Sequence, residues 1–385
     1  MVNLFRIFGN SSLNPKSTVL PRARNEIDDA WEPMDLLHRH MIFAPVKLND
    51  RNIPALVDSG TSRSIIHHGL ARELGLVPLG EASVTSFTRR VAGLSYRTER
   101  MELAGTILND FVIDSYGMAE IEALSRQHIS LIVGRDVLQK VDVDFDFIGN
   151  RIRWISKGAR RDFQADLSVA LHGERAAFPS IDLALEGRAR ERALLDSGSN
   201  TPITMAADYA REHGFLDNRR QSSAVSISLE GVLTNVVFSL RSVNIGAFEL
   251  YNVPVQAVEN WKLAEPISLG WPLFQAFRMV LSLGGKSLDA KVDPHILMSE
   301  IPRDRLGISG RREEQQLIIS HVAPWSPAWH AGLRLNDVVV TVDGRAISAG
   351  YPVPGERIGF RAAGSKVRLG LASGRNIDLK LTNYF

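Results

Sequence analysis

The chain has 385 residues, 44% hydrophobic and 23% charged, with a formal net charge of +2 and no cysteine. These values match a globular protein of two to three domains and exclude a disulfide framework, a thiol nucleophile and a thiolate metal site. The charge leaves no footprint for nucleic acid, and the arginine pairs at 89–90, 160–161, 219–220 and 311–312 are scattered along the chain.

Residues 1–37 are polar and unpatterned and are expected to form a leader that is disordered or packs late. The stretch Leu4-Phe5-Arg6-Ile7-Phe8 is interrupted by Arg6 and lacks a small-residue cleavage site, so it does not read as a signal peptide. That favours a cytoplasmic location, with the periplasm as alternative and the compartment undetermined. No run of about 18 apolar residues occurs, and no membrane span is expected.

Strand-like runs begin at Met41–Leu48 and, after a turn at residues 49–52, continue through Ile53–Val57 into Asp58-Ser59-Gly60-Thr61. The same setting returns at Ala193-Leu194-Leu195 followed by Asp196-Ser197-Gly198-Ser199, 138 positions later. Two further landmarks recur in the same order. Ala71-Arg72-Glu73-Leu74-Gly75-Leu76 matches Ala210-Arg211-Glu212-His213-Gly214-Phe215, each reading as a short helix closed by a left-handed glycine. Leu131-Ile132-Val133-Gly134 matches Ile267-Ser268-Leu269-Gly270. Between landmarks both halves carry hairpin patterns, with tips expected at residues 89–93 and at Glu230-Gly231. The pattern implies a duplicated unit: residues 38–157 and 158–292, joined through a polar linker at 157–162.

The paired loops have a chemical reading. Two carboxylates brought together about a pseudo-twofold axis cannot both ionise, so they share a proton and can activate a water. Gly60 and Gly198 permit the tight backbone turn, and Ser59 and Ser197 offer hydroxyls to cross between the loops. These residues, with Gly134 and Gly270, resemble the pepsin–retropepsin superfamily of aspartic peptidases over about residues 38–292. The resemblance implies that Asp58 and Asp196 are the catalytic pair and that Ser59 and Ser197 lock the loops. It also implies that Gly134 and Gly270 lie on strands behind the dyad and that hairpin flaps near 86–96 and 227–234 close over an extended peptide. The first copy has the retroviral form Gly134-Arg135-Asp136; the second departs from it at Gly270-Trp271-Pro272. Hydroxyls at Thr61 and Ser199, where retroviral enzymes usually carry Ala, are expected to bond the carboxylates and lower the pH at which the dyad titrates.

Residues 293–304 read as a linker. Residues 305–385 resemble a PDZ domain of the bacterial protease-associated kind. The matching residues are Leu306-Gly307-Ile308 as carboxylate loop, Ser326-Pro327-Ala328 through Gly332-Leu333, then Asn336–Val339 and Asp343-Gly344. The resemblance implies capture of a peptide C-terminus or an exposed strand. The groove helix would fall near 355–363, where Gly355 and Gly359 and the nearby Pro352 and Pro354 leave it short.

The expected fold is mainly β: two homologous retropepsin-like β-barrel lobes forming one cleft, plus a small PDZ-like β-barrel. The expected function is aspartic endopeptidase activity on polypeptide, the PDZ domain recruiting substrate or regulating access. One chain suffices for the site, and no cofactor or metal is implied. A non-catalytic peptide-binding scaffold is the alternative, and a processing peptidase with a single protein substrate is a third reading. Other motifs have plainer explanations. Asp142-Val143-Asp144-Phe145-Asp146 fails the EF-hand spacing because Arg153 stands where Glu is needed, and reads as a strand with one wet face. His67-His68 diverge in any regular structure. Ser59 or Ser197 with His321 lacks a nucleophile elbow. Trp325 and Trp329 are expected to pack beneath the carboxylate loop.

Overall fold

The computed structural model describes residues 8–9, 19–21, 31–34, 36, 41–85, 90–118, 122, 128–157, 162–173, 178–228, 231–347 and 357–385. The chain is mainly β, in two barrel-like sheets, a third sheet between them and a separate C-terminal sheet. Among the described residues no helix is long and apolar enough to cross a membrane.

The first barrel runs, strand beside strand, through Phe43–Leu48, Arg51–Val57, Leu131–Val133, Ile65–Ile66, Thr106–Tyr116, Arg90–Leu103 and Val77–Thr85. The second runs through Ser180–Leu185, Ala189–Asp196, Ile267–Gly270, Ile203–Ala206, Phe248–Val258, Gly231–Ile245 and Ser222–Ser228. Position for position the two orders are the same. Each sheet closes by the same extra pairing, Lys47 opposite Glu102 in one and Ala184 opposite Asn244 in the other. Each also holds a parallel pair at its centre, Val133 beside Val57 and Leu269 beside Leu195. These central strands are buried on both faces, which is why they read as continuous apolar runs without alternation. The matched short helices are present at His68–Glu73 and Ala207–Glu212, with Gly75 at φ 62° and Gly214 at φ 64° beyond their ends.

The third sheet takes strands from both halves: Leu167–Ala170, Ser287–Val292, Phe277–Ser282, Val141–Asp146, Arg151–Ser156 and Glu32–Pro33. Here the sequence expectation for residues 142–146 fails in one respect. They form a strand, but its acidic face is buried: Asp144 has no exposed surface and Asp146 is 5% exposed. Sheet pairing places Val280 opposite Asp144, and the neighbouring Arg278 donates to it together with Arg153 (2.7 and 2.9 Å). Asp146 takes Arg151 at 2.8 Å. The guanidiniums of Arg151, Arg153 and Arg278 lie over the Trp31 ring at 4.2, 4.4 and 4.9 Å, which shields the cluster from water. Alternation alone cannot tell a solvated acidic face from one neutralised by arginines distant in sequence.

Within the stretch expected to be a leader, the described residues are paired. Phe8–Gly9 pairs with Val84–Thr85, Val19–Pro21 with Thr106–Leu108, and Glu32–Pro33 with Arg151–Ile152, while Met34 is fully buried. The remaining leader positions lie outside the described residues, as do residue 89 of the first expected tip, residue 230 of the second, linker residues 158–161 and groove residues 355–356. Residues 90–93, expected at the first tip, are instead strand, paired with residues 82–85.

The C-terminal sheet orders Ile308–Glu313, Gln316–Val322, Val338–Val342, Lys366–Leu371 and Asn376–Lys380 around an apolar core that includes Leu306, Ile319, Val339 and Leu369. Ser326 caps the short helix Pro327–His330 by accepting from the Trp329 N–H (3.2 Å), and Gly332 follows at φ 79°. Trp325 and Trp329 do not pack beneath the carboxylate loop. They are 61% and 39% exposed and contact each other with ring centroids 4.8 Å apart. Trp325 has φ 64°, and this left-handed turn at the head of the helix turns its ring outward.

Replacing Asp144 tests the bridging sheet. Asp144→Ala leaves two largely buried arginines with only the half-exposed Asp162 as shared partner. The expected loss is about 3 kcal/mol, read as a lowered denaturant midpoint; a change below about 0.5 kcal/mol would show that the arginines are solvated.

Candidate active site

Asp58 and Asp196 end the two equivalent apolar strands, and the next two residues of each turn back toward the other half. The contact between the loops is reciprocal. The Ser59 N–H donates to Ser197 Oγ and the Ser197 N–H to Ser59 Oγ, both at 3.0 Å. Ser59 Oγ then donates to the Leu195 carbonyl (2.9 Å) and Ser197 Oγ to the Val57 carbonyl (2.8 Å). Each hydroxyl thus accepts from one strand end and donates to the same opposite strand. Both serines are buried, at 1% and 7% exposure, so each of these four bonds replaces a solvation that the folded chain denies.

Asp58 is fully buried and Asp196 5% exposed. Asp58 accepts from the Gly60 N–H through Oδ1 (2.8 Å) and from the Thr61 hydroxyl through Oδ2 (2.7 Å). Gly198 approaches this carboxylate so closely that a Cβ there would lie 2.5 Å from Asp58 Cγ. The glycine of one loop therefore makes room for the carboxylate of the other. Burial, the charge of Asp196 and a hydrogen bond with it push the Asp58 pKa well above the ordinary carboxylate value. The bonds from Thr61 and Gly60 pull it the other way but do not prevail. Thr61 thus acts in the expected direction, lowering the pKa, while desolvation sets the net shift above the ordinary carboxylate value. The Ser199 hydroxyl accepts from the Thr201 N–H at 3.3 Å.

Gly134 and Gly270 lie behind these loops. A Cβ on Gly134 would lie 2.6 Å from the Arg63 carbonyl carbon, and one on Gly270 would lie 2.6 Å from the Ser199 carbonyl oxygen. The residue after each glycine binds the loop through its backbone: the Arg135 N–H donates to the Thr61 carbonyl (2.9 Å), the Trp271 N–H to the Ser199 carbonyl (3.1 Å). Asp136 holds the same turn by accepting from the Ser64 N–H and hydroxyl (3.0 and 2.8 Å). Sequence reasoning missed what the unmatched side chains do. Arg135, 2% exposed, lies over the Phe178 ring of the second half at 4.1 Å, and Trp271 stacks on Phe147 of the first half at 6.4 Å. Arg135 and Trp271 differ chemically, yet each reaches an aromatic ring across the axis. Burial lowers the Arg135 pKa to about 10, with the charges of Asp136 and Asp58 opposing that shift.

Other residues singled out in the sequence lie elsewhere. His321 Nε2 sits 3.1 Å from Ser223 Oγ, on the seam between the C-terminal sheet and the second barrel, apart from Ser59 and Ser197. His68 bonds the Tyr96 hydroxyl at 3.0 Å. His67 comes together with Glu122 and His128, a grouping invisible in sequence because three separated segments supply it. His67 Nδ1 accepts from the Gly69 N–H (3.0 Å), so the neutral ring carries its proton on Nε2, facing Glu122 at 3.5 Å. That tautomer makes the group a hydrogen-bonded cluster. Leu306, Gly307 and Ile308 form the turn into the C-terminal sheet, with Gly307 at φ 81° against Ser326.

Comparison with known proteins agrees with this architecture. The family model described as aspartyl protease matches residues 33–146, and the PDZ domain model matches residues 305–377. The chain carries an aspartyl-protease family domain and a PDZ domain. Protein DDI1 homolog 1 of Caenorhabditis elegans is 28% identical over 155 residues, a match that covers 40% of this chain and 39% of that protein. The chain therefore spans about two fifths of that relative's length.

The serine lock predicts strong coupling. Ser59→Ala and Ser197→Ala each leave a buried N–H and a buried carbonyl without their partner, at a cost of about 1–3 kcal/mol. Because all four bonds run between the same two residues and strand ends, the double variant is expected to cost clearly less than the sum of the singles. Additive losses in a double-mutant cycle would contradict a reciprocal lock.

Proposed function

We propose that the protein is an aspartic endopeptidase whose general acid–base pair is Asp58 and Asp196. The observation that carries this reading is the reciprocal contact of Ser59 and Ser197, which holds two buried carboxylates on facing loops. The raised pKa of Asp58, caused by burial and by the charge of Asp196, supports a pair that shares one proton. In the reaction, the ionised carboxylate takes a proton from a bound water as its oxygen attacks the scissile carbonyl carbon. The protonated carboxyl gives its proton to the carbonyl oxygen, forming a tetrahedral diol. Collapse re-forms the carbonyl, breaks the C–N bond and returns a proton to the amine, leaving the pair with one proton again.

The substrate is an extended polypeptide lying between the two barrels, under the hairpins formed by Val77–Thr85 with Arg90–Leu103 and by Ser222–Ser228 with Gly231–Ile245. A single chain provides both carboxylates, and the two halves, 38–157 and 158–292, act as the lobes. The PDZ domain at 305–385, of the bacterial protease-associated kind, serves as the peptide-recognition module that recruits substrate or regulates access. Its contact with the second barrel supports the regulatory part. The Ser222 hydroxyl donates to the Pro324 carbonyl (2.6 Å), and Val237, Ala323, Tyr384 and Phe385 form one apolar cluster across the seam. Strand Ser222–Ser228, which begins at that seam, is one arm of a hairpin proposed to close over substrate.

Digestion of unfolded casein, with a statine-type inhibitor as control, tests the reading. Asp58→Asn and Asp196→Asn are each expected to lower kcat/KM by about 10²–10⁴-fold or more, and combining them should add little. Persistent activity in both variants would overturn the mechanism. The pH dependence follows from the direction of the Asp58 shift. A carboxyl with a raised folded pKa contributes stability that is fully present below about pH 4, the ordinary carboxylate value, and is lost as pH rises through the raised value. Asp58→Asn lacks that loss, so its melting temperature should gain on the wild type across this interval; a constant difference would count against a shared proton. Thr61→Ala removes a bond that favours the ionised carboxylate. The alkaline limb of kcat/KM, where the shared proton leaves, is expected to move to higher pH.

A further inference from the structure

The turn that a peptide C-terminus would enter is already occupied by a carboxylate of the chain. Asp304 Oδ2 accepts from the Gly307 N–H at 2.7 Å, and Oδ1 accepts from the Leu306 N–H at 3.3 Å. Two more elements converge on the same group. The Tyr384 hydroxyl, beyond the last strand, donates to Oδ2 at 3.0 Å. The Arg357 guanidinium, lying over the Phe360 ring at 3.9 Å, feels the Asp304 charge as its principal electrostatic partner. Gly359 completes the cradle from the short turn Ile358–Phe360, since any Cβ there would strike Asp304 Oδ1. Two backbone N–H groups and a phenol bind the carboxylate, and a guanidinium feels its charge, a composition that suits a terminal carboxylate.

Resting on the reading of residues 305–385 as a peptide-recognition module, we propose that Asp304 is a built-in pseudo-ligand that closes the carboxylate site, so that a peptide C-terminus binds only by displacing it. Asp304 and an incoming carboxylate compete for the same Leu306 and Gly307 donors and cannot hold them together. Asp304 is covalently attached two residues upstream, so it competes at the high effective concentration of an intramolecular ligand. It is only partly buried, and its release requires no opening of the core around Leu306 and Ile319. The strand edge beside the site, Ile308–Glu313, runs alongside Ser222–Ser228 of the second barrel, so both features a peptide would use already face parts of the same chain.

The test is fluorescence anisotropy on the full chain, with a short labelled peptide ending in valine as free acid and the same peptide amidated. The wild type is expected to bind the two forms alike, within about twofold. Asp304→Ala should prefer the free acid by about tenfold or more, as the competitor is gone. Asp304→Asn, which keeps the size of the side chain and loses its charge, should show a smaller preference and decides the matter if the alanine variant does not fold. Adding Arg357→Ala to the responsive variant should abolish the preference, placing the gain at this cradle. A tenfold preference for the acid in the wild type would overturn the latch while leaving peptide capture standing. Indifference to the carboxylate in every folded variant would overturn both. Casein digestion by the same preparations reports separately on the peptidase.

Discussion

The structure turns on the four hydrogen bonds of Ser59 and Ser197. The two barrels share one continuous apolar core, and neither loop could carry its carboxylate alone. The Asp58 carboxylate has its neighbour in Gly198 of the opposite loop, at a distance that forbids a Cβ. A buried carboxylate is tolerated where hydrogen bonds satisfy it or a proton neutralises it. Asp58 has both kinds of support, from Gly60 and Thr61 on its own loop and from the carboxyl of Asp196 across the axis. The lock therefore sets the electrostatics as well as the geometry: bringing the loops into register brings the second charge close enough to raise the first group's pKa.

The same axis explains why three layers of contact reinforce the junction. Behind the loops, Gly134 and Gly270 admit the loop backbone, and the following N–H groups tie it down. Farther out, Arg135 on Phe178 and Trp271 on Phe147 cross the axis in opposite directions. Beneath them, strands Val141–Asp146 and Phe277–Ser282 pair directly, so the two halves share one sheet. A cleft lying between two independent barrels would hinge at the dyad. Here a continuous ladder and two aromatic contacts tie the two halves together beneath the loops.

Much of this was legible in the sequence because the relevant constraints are local. Asp-Ser-Gly at the end of an apolar run, repeated with a matched helix and a matched apolar-glycine strand, is enough to pair Asp58 with Asp196 and to expect two barrels. The twin strand orders bear out the mainly β fold, although the family model matches only residues 33–146 of the duplicated part. What stayed hidden depends on distant partners. The buried face of Asp142–Asp146 reads as wet until Arg153, Arg278 and Trp31 are assembled over it. The bond from Thr61 to Asp58 was readable in the motif, whereas the depth of burial that raises the Asp58 pKa was not. Arg135 and Trp271 break the repeat at the residue level and preserve it in space, a relation no alignment of identities can reveal.

Asp304 illustrates the same limit in the C-terminal module. Within the motif Leu306-Gly307-Ile308, the N–H groups of Leu306 and Gly307 point at Asp304, but a motif does not say whether its site is vacant. The answer lies two residues upstream and at residues 357, 359 and 384, all outside the motif. Its position also has a mechanical consequence. Asp304 stands between Arg303, which bonds Ser239 and the Phe385 carbonyl, and Arg305, which bonds Glu300, Asn383 and the Arg361 carbonyl. Arg303 and Arg305 are almost fully buried and cannot rotate away without losing several charge-assisted bonds. In the proposed latch, a carboxylate that takes the place of Asp304 acts on a segment that leads into the PDZ core and is anchored to the second barrel through Arg303 and Ser239. Under the proposed latch, occupancy of the module acts on the hairpin through that segment, with no need for a contact between the incoming peptide and the dyad.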